Sequence, residues 1–279
     1  MSDPSQADAR HAARLGAVQA GLYFRAYTLS VEYQKKISGV MASVGFPVLA
    51  RTRSSEDMGT LRGQMVSLLT VLLFPCLALL AVLAPVAVPW VFGSDWEAAV
   101  APTQVLAIGG AAVIVIDAAG TTLMAAARPR AVLGFGWAHF VVYAIAVFFT
   151  APLGLTAVAA SAAAVHTGFV FVAYGLMYEG ARKYVFARVW ADVAPAVCCC
   201  AALVAVALPA SVALTTINAP ALPHLTAVTV AGVFAYGVVL RTFFASTWRT
   251  LGSFATHLLP SKLRRRPPAS AATPVEVHA

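Results

Sequence analysis

The chain has 279 residues, of which 60% are apolar (Ala, Val, Ile, Leu, Met, Phe, Trp, Tyr and Cys) and only 11% are charged. Soluble domains contain about 25% charged residues, so this composition excludes a water-soluble enzyme and equally a disordered chain. The net charge of +8 would suggest nucleic acid as the partner of a soluble protein. Here the basic residues fall between long apolar stretches, and we therefore expect a membrane protein with no nucleic-acid partner.

The chain begins with a polar segment, residues 1–20, which is followed by a weak candidate for a membrane span. This candidate covers residues 22–50. Its second half, residues 37–50, is apolar but too short to cross a bilayer alone, while its first half carries four charged residues.

Six stronger spans follow, each close to the roughly 20 apolar residues that a helix needs to cross the hydrocarbon core. Their predicted ranges are residues 65–85, 101–126, 131–150, 153–177, 193–214 and 225–240. In lipid every backbone polar group needs a partner within the chain, and the alternating pattern of barrel strands is absent. The sequence therefore predicts an all-α, polytopic membrane helix bundle of about seven transmembrane helices within residues 21–240.

Lysine and arginine residues alternate between the connections of these spans, which predicts how the chain is oriented. Short cytoplasmic loops are enriched in these residues. We therefore expect a multi-pass protein of the cytoplasmic (inner) membrane with a cytoplasmic C-terminus. Lysine or arginine occurs in the connections 51–62, 127–130 and 178–192 and in the tail from 241 on, and neither occurs in 93–97, 151–152 or 215–224.

The C-terminal tail has two further predicted parts. An apolar stripe at helical spacing indicates an amphipathic helix on the inner leaflet, residues 241–263. The basic cluster Lys262–Arg266 adds attraction to anionic lipid. Residues 264–279 form a basic segment that we expect to be disordered. The stripe consists of Phe244, Trp248, Leu251, Phe254 and Leu258.

No motif in the chain indicates enzymatic chemistry. There is no phosphate-binding glycine loop, no zinc motif, and no pair of carboxylates at membrane depth that would suit acid–base catalysis. We therefore expect a protein that is not an enzyme and that holds no cofactor and no metal.

A few polar residues within the spans are candidate functional residues. Asp117 lies well inside the span 101–126, where a carboxylate costs about 2.5–3.5 kcal/mol on insertion scales. This residue is the candidate for coupling transport to an ion or a proton. His139 and His166 are less costly to bury, and we expect them to be structural residues that form hydrogen bonds between helices.

Arg25, Lys35 and Lys36 form a second candidate site in the weak span. A cationic helix face that lines a cavity would suit a diphosphate group. The spacing also places Glu32 four residues before Lys36, where the two can pair. The alternative is that this segment lies at the interface and that its lysines extend toward water.

Four segments of the chain together resemble a known family of transporters. They are AGLYFRAYTLS (20–30), FPVLARTRSSEDMGTLRG (46–63), LLFPCLALLAVLAPVAVPWVFGSDWEAAVAPTQVLAI (72–108) and AAARPRAVL (125–133). Their order and spacing resemble the bacterial polysaccharide (oligosaccharide-lipid) flippases of the multidrug/oligosaccharidyl-lipid/polysaccharide exporter superfamily. Phe24 and Ala127 depart from the serine and glycine that are commoner in the family.

The resemblance implies that the chain corresponds to the C-terminal lobe of a two-lobed exporter. An alternating-access cavity needs two lobes, so the implied partners are a missing N-terminal lobe or further copies of this chain. The implied function is translocation of a polyprenyl-diphosphate-linked oligosaccharide across the cytoplasmic membrane for polysaccharide biosynthesis. The alternative is a non-transporting membrane scaffold, or a degenerate fragment, associated with polysaccharide-assembly enzymes.

Overall fold

Helices make up nearly all of the backbone that the computed structural model describes, namely residues 4–39, 55–177, 184–245 and 247. The first helix, α1, is Pro4–Tyr27; it continues through a π-helical turn, Thr28–Glu32, and stays helical to residue 39. The other helices are α2 (Ser55–Phe92), α3 (Val100–Ala125), α4 (Pro129–Thr150), α5 (Leu155–Met177), α6 (Val185–Thr216) and α7 (Ala221–Phe243). Short 3₁₀ turns, Ser94–Ala99 and Ala151–Leu153, precede α3 and α5.

Six of these helices are long and apolar enough to cross a bilayer. Their spans are Leu61–Phe92, Ser94–Ala125, Pro129–Leu153, Leu155–Met177, Val185–Thr216 and Ala221–Phe243. Each coincides with one of the six strong predictions, so the all-α polytopic fold is confirmed. In the weak seventh span, residues 22–39 are helical, and residues 40–50 lie outside the described residues.

Helix α2 is longer than the span predicted within it. Its 38 residues extend about 57 Å at 1.5 Å per residue, against about 30 Å of hydrocarbon. The helix continues through Pro75, Pro85 and Pro89, because neighbouring helices can satisfy the carbonyls that a proline leaves free. The predicted span 65–85 is therefore the central part of a longer helix, α2.

The helices pack side by side in an order that differs from their order in the chain. Helix α2 contacts α3, α6 and α7, while α3 also contacts α5, and α5 contacts α4. Helix α4 has no buried residue and lies at the edge of the described bundle. Small residues permit close approach of backbones: a side chain at Gly109 of α3 would press on the backbone of Ala163 in α5.

The predicted segments at the two ends of the chain are only partly described. Helix α1 begins at Pro4, so most of the polar segment 1–20 is part of the first helix. Helix α7 ends at Phe243, close to the predicted end of the bundle at residue 240. Apart from residues 241–245 and 247, the predicted amphipathic helix 241–263 and the basic segment 264–279 lie outside the described residues.

Candidate functional site

Seven polar side chains from four helices are linked by hydrogen bonds, ring contacts and electrostatic interactions, and we call this group the polar cluster. Three of the helices reach it at a similar depth. Asp117 lies eight residues before the end of α3, His139 ten residues after the start of α4, and His166 eleven residues before the end of α5. These offsets correspond to about 12–16 Å, near the middle of a hydrocarbon core about 30 Å thick. The members are Tyr23, Tyr27 and Lys35 of α1 and its continuation, Asp117 of α3, His139 and Tyr143 of α4, and His166 of α5.

The ends from which these offsets are counted lie on one side of the bundle. A turn at residues 126–128 joins the end of α3 to the start of α4. Arg128 in this turn donates a hydrogen bond to the Leu176 carbonyl at the end of α5, at 3.0 Å. The turn and this hydrogen bond connect the end of α3, the start of α4 and the end of α5. The polar residues counted from these ends therefore lie at a similar depth.

Helix α1 brings the positive charge into the polar cluster. The Lys35 ammonium donates a hydrogen bond to the Tyr27 hydroxyl at 3.3 Å. Electrostatic interactions extend from Lys35 to Asp117, His139 and His166. Lys35 is therefore the charged group that interacts with a residue on each of α3, α4 and α5.

Two tyrosine hydroxyls connect α1 to α4 at the edge of the polar cluster. The Tyr23 and Tyr143 hydroxyl oxygens lie 3.2 Å apart, a hydrogen bond in which either group can donate. The Tyr23 ring also stacks on Tyr27, with 6.4 Å between centroids. This chain of hydroxyls leads from α1 to the two histidines.

His139 and His166 form an adjacent pair, but the expected hydrogen bonds between helices are absent at two of their ring nitrogens. The ring centroids are 5.0 Å apart, and the Tyr143 ring lies 5.6 Å from His166. His166 is only 5% exposed. His139 Nε2 and His166 Nδ1 are buried, and neither has a hydrogen-bond partner among the described residues. The interpretation of these histidines as satisfied structural residues therefore does not account for them.

Asp117 is half-buried on α3, and no described side chain donates a hydrogen bond to its carboxylate. The hydroxyl of Thr121, one turn away, binds the backbone carbonyl of Asp117 instead. A carboxylate left without donors at this depth is expensive. The nearby positive charge of Lys35 offsets part of that cost.

The three predicted cationic residues do not form one site. Lys36 makes an ion pair with Glu32 at 3.1 Å, which confirms the pairing expected from their spacing, and its side chain is 65% exposed. The Arg25 guanidinium lies over the rings of Phe92 and Trp96, at 4.8 and 5.5 Å from their centroids. Since Arg25 precedes Lys35 by ten residues, the two are about 15 Å apart along the helix. Lys35 thus interacts electrostatically with Asp117, whereas Arg25 lies against Phe92 and Trp96.

The π-helical turn in α1 fixes the position of Lys35. Ser30, fully buried in this turn, donates a hydrogen bond from its hydroxyl to the Thr103 carbonyl at 3.0 Å. A Cβ at Gly110 of α3 would overlap the Ser30 carbonyl oxygen. The turn therefore seats directly on the α3 backbone, and only a glycine at position 110 leaves room for it. π-Turns insert an extra residue and redirect the helix that follows.

Sequence reasoning missed the three tyrosines of the polar cluster. A signal for them exists, because Tyr23 and Tyr27 are four residues apart, as are His139 and Tyr143. Residues at this spacing lie on the same face of a helix. In the part of the chain that the structure describes, no three His, Cys, Asp or Glu side chains come together as they would around a metal ion.

Comparison with known proteins points to polysaccharide biosynthesis. Residues 12–101 match a family model described as "Polysaccharide biosynthesis protein". The chain is 31% identical over 139 residues to an uncharacterized membrane protein in the cps region of Klebsiella pneumoniae, a match that covers 49% of this chain and 28% of the relative. No solved structure matches the chain.

Two further curated relatives have names that state their process. The teichuronic acid biosynthesis protein TuaB of Bacillus subtilis is 32% identical over 44% of this chain and 25% of its own length. The lipopolysaccharide biosynthesis protein WzxC of Escherichia coli is 35% identical over 41% of this chain and 23% of its own length.

These findings confirm the resemblance to the bacterial polysaccharide exporters. The chain is a multi-pass bacterial membrane protein, and its matches span about a quarter of the length of the curated relatives. The family model covers most of α1 and all of α2, and so includes Lys35 but ends before Asp117.

Proposed function

We propose that the chain acts in a membrane transporter that moves polyprenyl-diphosphate-linked oligosaccharide across the cytoplasmic membrane for polysaccharide biosynthesis. The observation that carries this proposal is the polar cluster, in which Lys35 interacts with Asp117 and with two histidines of the membrane-spanning helices. The resemblance of α1 and α2 to polysaccharide biosynthesis proteins supports the choice of substrate. Intramembrane ionisable groups of this kind commonly mark the path of a substrate or an ion.

Lys35 is the group best placed to bind a diphosphate. Its side chain is exposed and can therefore reach a ligand, and hydrogen bonds from an ammonium group to phosphate oxygens are charge-assisted. The Tyr27 hydroxyl already accepts from Lys35 and would donate its own proton to an arriving oxygen. Lys36 can contribute only after its pair with Glu32 opens. We keep Arg25 as a separate anion contact nearer the bilayer surface.

Asp117 is the proposed coupling residue, because its charge opposes that of Lys35 within the same cluster. When a diphosphate occupies Lys35, the carboxylate loses the charge that offsets it, and protonation or movement of Asp117 becomes favourable. We propose that this exchange links substrate movement to an ion or a proton. Moving the polar head in this way requires no covalent chemistry.

The orientation and the assembly of the transporter are further parts of the proposal. The alternation of basic loops supports a cytoplasmic C-terminus, where the basic tail would be attracted to anionic lipid. A cavity that opens alternately to either side needs two lobes. An N-terminal lobe or a second copy of this chain would supply the other one.

Binding of the lipid head group tests the proposed role of Lys35. The full chain in nanodiscs is titrated with undecaprenyl diphosphate, with undecaprenol (the same tail without phosphate) and with inorganic pyrophosphate. We expect Lys35→Gln to weaken undecaprenyl diphosphate binding about tenfold or more, since a lost charge-assisted hydrogen bond is worth about 1.5–3 kcal/mol. Undecaprenol should bind equally to both proteins.

Lys36→Gln is the matched control, because it removes the same charge one residue away. Its exposed pair with Glu32 contributes about 0–1 kcal/mol, so binding should change less than about threefold. Equal losses in the two variants would refute a specific contact at Lys35.

Translocation itself is tested in a bacterial strain that lacks its own flippase. The chain is expressed alone and together with the N-terminal half of a full-length relative, and surface polysaccharide is measured. Restoration that requires an intact Lys35 supports the transporter. No restoration under either condition, with the chain folded in the membrane, refutes transport and favours a scaffold.

A further inference from the structure

Each histidine of the His139–His166 pair has a buried ring nitrogen without a hydrogen-bond partner among the described residues. Binding of a diphosphate by Lys35 does not explain these two nitrogens. A neutral imidazole has one nitrogen that donates and one that accepts. In this pair, His139 Nε2 and His166 Nδ1 are buried without partners among the described residues, while their rings lie 5.0 Å apart. Buried polar atoms normally have a hydrogen-bond partner, so we expect these two nitrogens to bind a further group.

Apolar rings enclose one side of the pair and polar groups occupy the other. Phe135 stacks on His139 at 6.1 Å, and the Phe169 ring lies 4.8 Å from it. The polar groups linked to the pair are Tyr143 of α4, Tyr23 and Tyr27 of α1, and Lys35, whose positive charge acts on both rings. Asp117 of α3 interacts in turn with Lys35. A positively charged guest of the pair is therefore repelled by Lys35, whose charge Asp117 offsets in part.

We propose that His139 and His166 together bind one proton, and that this proton controls how tightly the polar cluster holds an anionic head group. The proton comes from water and converts one ring to an imidazolium, in which both nitrogens donate, so that it can form a hydrogen bond with the acceptor nitrogen of the other ring. The first part of the inference concerns only the histidines. The second part rests on the proposed function, because it assumes that a diphosphate binds beside Lys35.

The charges of the cluster explain why proton and anion would bind together. Without an anion, a proton on the pair is repelled by Lys35, whose charge Asp117 offsets only in part. A diphosphate beside Lys35 reverses this balance, because it brings more than one negative charge. By linkage, an anion that favours the protonated pair is itself bound more tightly when the pair is protonated, and by the same factor.

The first experiment examines the pair without any lipid substrate. The chain is labelled with ¹⁵N-histidine in nanodiscs, and the imidazole resonances are followed as pH is lowered. Groups that share a proton titrate as a unit. We therefore expect His166→Gln to shift the titration midpoint of His139 by at least about half a pH unit, and His139→Gln to shift that of His166 similarly.

His224→Gln is the matched control. This buried histidine lies in α7, outside the polar cluster, and is bonded to Ser211 at 3.0 Å. The variant should leave both midpoints of the pair unchanged. Independent titration of His139 and His166, with each midpoint unaffected by loss of the other ring, would overturn the shared site. If a variant fails to fold, the parent chain still decides, because coupled rings titrate in common steps whereas independent rings each follow a single-site curve.

The second experiment measures the proton that accompanies the anion. Binding of undecaprenyl diphosphate to the full chain is followed by calorimetry in buffers of different ionisation enthalpy, which gives the number of protons taken up. We expect uptake of up to one proton per lipid above the pH at which the free pair protonates. This uptake should be absent in His139→Gln and His166→Gln and retained in His224→Gln.

The outcomes separate the two proposals. Binding without proton uptake, or uptake that survives both histidine substitutions, refutes the control by the proton and leaves the proposed function intact. Absence of diphosphate binding at every pH refutes the proposed function, while the lipid-free titration still decides whether the pair shares a proton.

Discussion

The close packing of α1 against α3 depends on Gly110. A methyl group at this position should displace α1 and, with it, Lys35 of the polar cluster. In Gly110→Ala the new Cβ would overlap the Ser30 carbonyl oxygen. The atom in the way is backbone held in the π-helical turn, so it cannot rotate aside as a side chain could. Helix α1 must shift, and Lys35 must shift with it.

The magnitude follows from three contributions. Alanine is favoured over glycine in a helix by about 1 kcal/mol. Overpacking a tight contact costs about 1–3 kcal/mol. Loss of the buried bond from Ser30 to the Thr103 carbonyl costs about 0.5–1.5 kcal/mol. We therefore expect Gly110→Ala to lower the free energy of unfolding by about 0.5–3.5 kcal/mol, the sum of these terms.

Gly120→Ala provides the control on the same helix. No atom lies within 4 Å of a Cβ at Gly120, so this variant is stabilised by the higher helix propensity of alanine and has no packing penalty. Both variants have this propensity gain, so it cancels when their free energies of unfolding are compared. The remaining difference between them is about 1.5–4.5 kcal/mol, the packing and hydrogen-bond terms together.

The assay is chemical unfolding of each variant in the same nanodisc, followed by circular dichroism. Imidazole resonances of His139 and His166 provide a second reading, because displacement of Lys35 changes the charge beside them. Gly110→Ala should unfold at lower denaturant than Gly120→Ala and should alter both resonances. Equal unfolding midpoints for the two alanine variants would refute the close contact of α1 with α3.

Three other substitutions have expected outcomes. Tyr236→Phe removes the hydroxyl that donates to the Val71 carbonyl at 2.7 Å and should cost about 0.5–1.5 kcal/mol in chemical unfolding; an unchanged midpoint would contradict this. Ser211→Ala leaves Nε2 of His224, which is 2% exposed, without its partner and should cost about 1–3 kcal/mol by the same assay. Asp117→Asn should be no less stable than the parent chain, because no described side chain donates to that carboxylate and a charge at this depth is costly, while transport should fall. A destabilised Asp117→Asn with normal transport would instead assign the carboxylate a structural role.

Much of the helical layout could be predicted from the sequence because it depends on short stretches of chain. A run of about 20 apolar residues must be helical in lipid, whatever its neighbours are. The six strong spans, the depth of Asp117 and the pairing of Lys36 with Glu32 are all properties of single helices. Span ends were harder to predict: α2 continues beyond residues 65–85 because helices do not stop where the hydrocarbon stops.

The meeting of Lys35 with Asp117, His139 and His166 could not be predicted in this way, since it depends on which helices become neighbours and which faces they turn together. In a soluble protein an apolar stripe on a helix marks the packed face. In a bilayer the lipid is as apolar as a helix interface, so the composition of a span does not distinguish the face that meets another helix from the face that meets lipid. The sequence alone thus determined the helices and their depth, whereas the tertiary structure decided the contacts between them: the π-helical turn against Gly110, the placement of Arg25 over Phe92 and Trp96, and the unpartnered histidine pair.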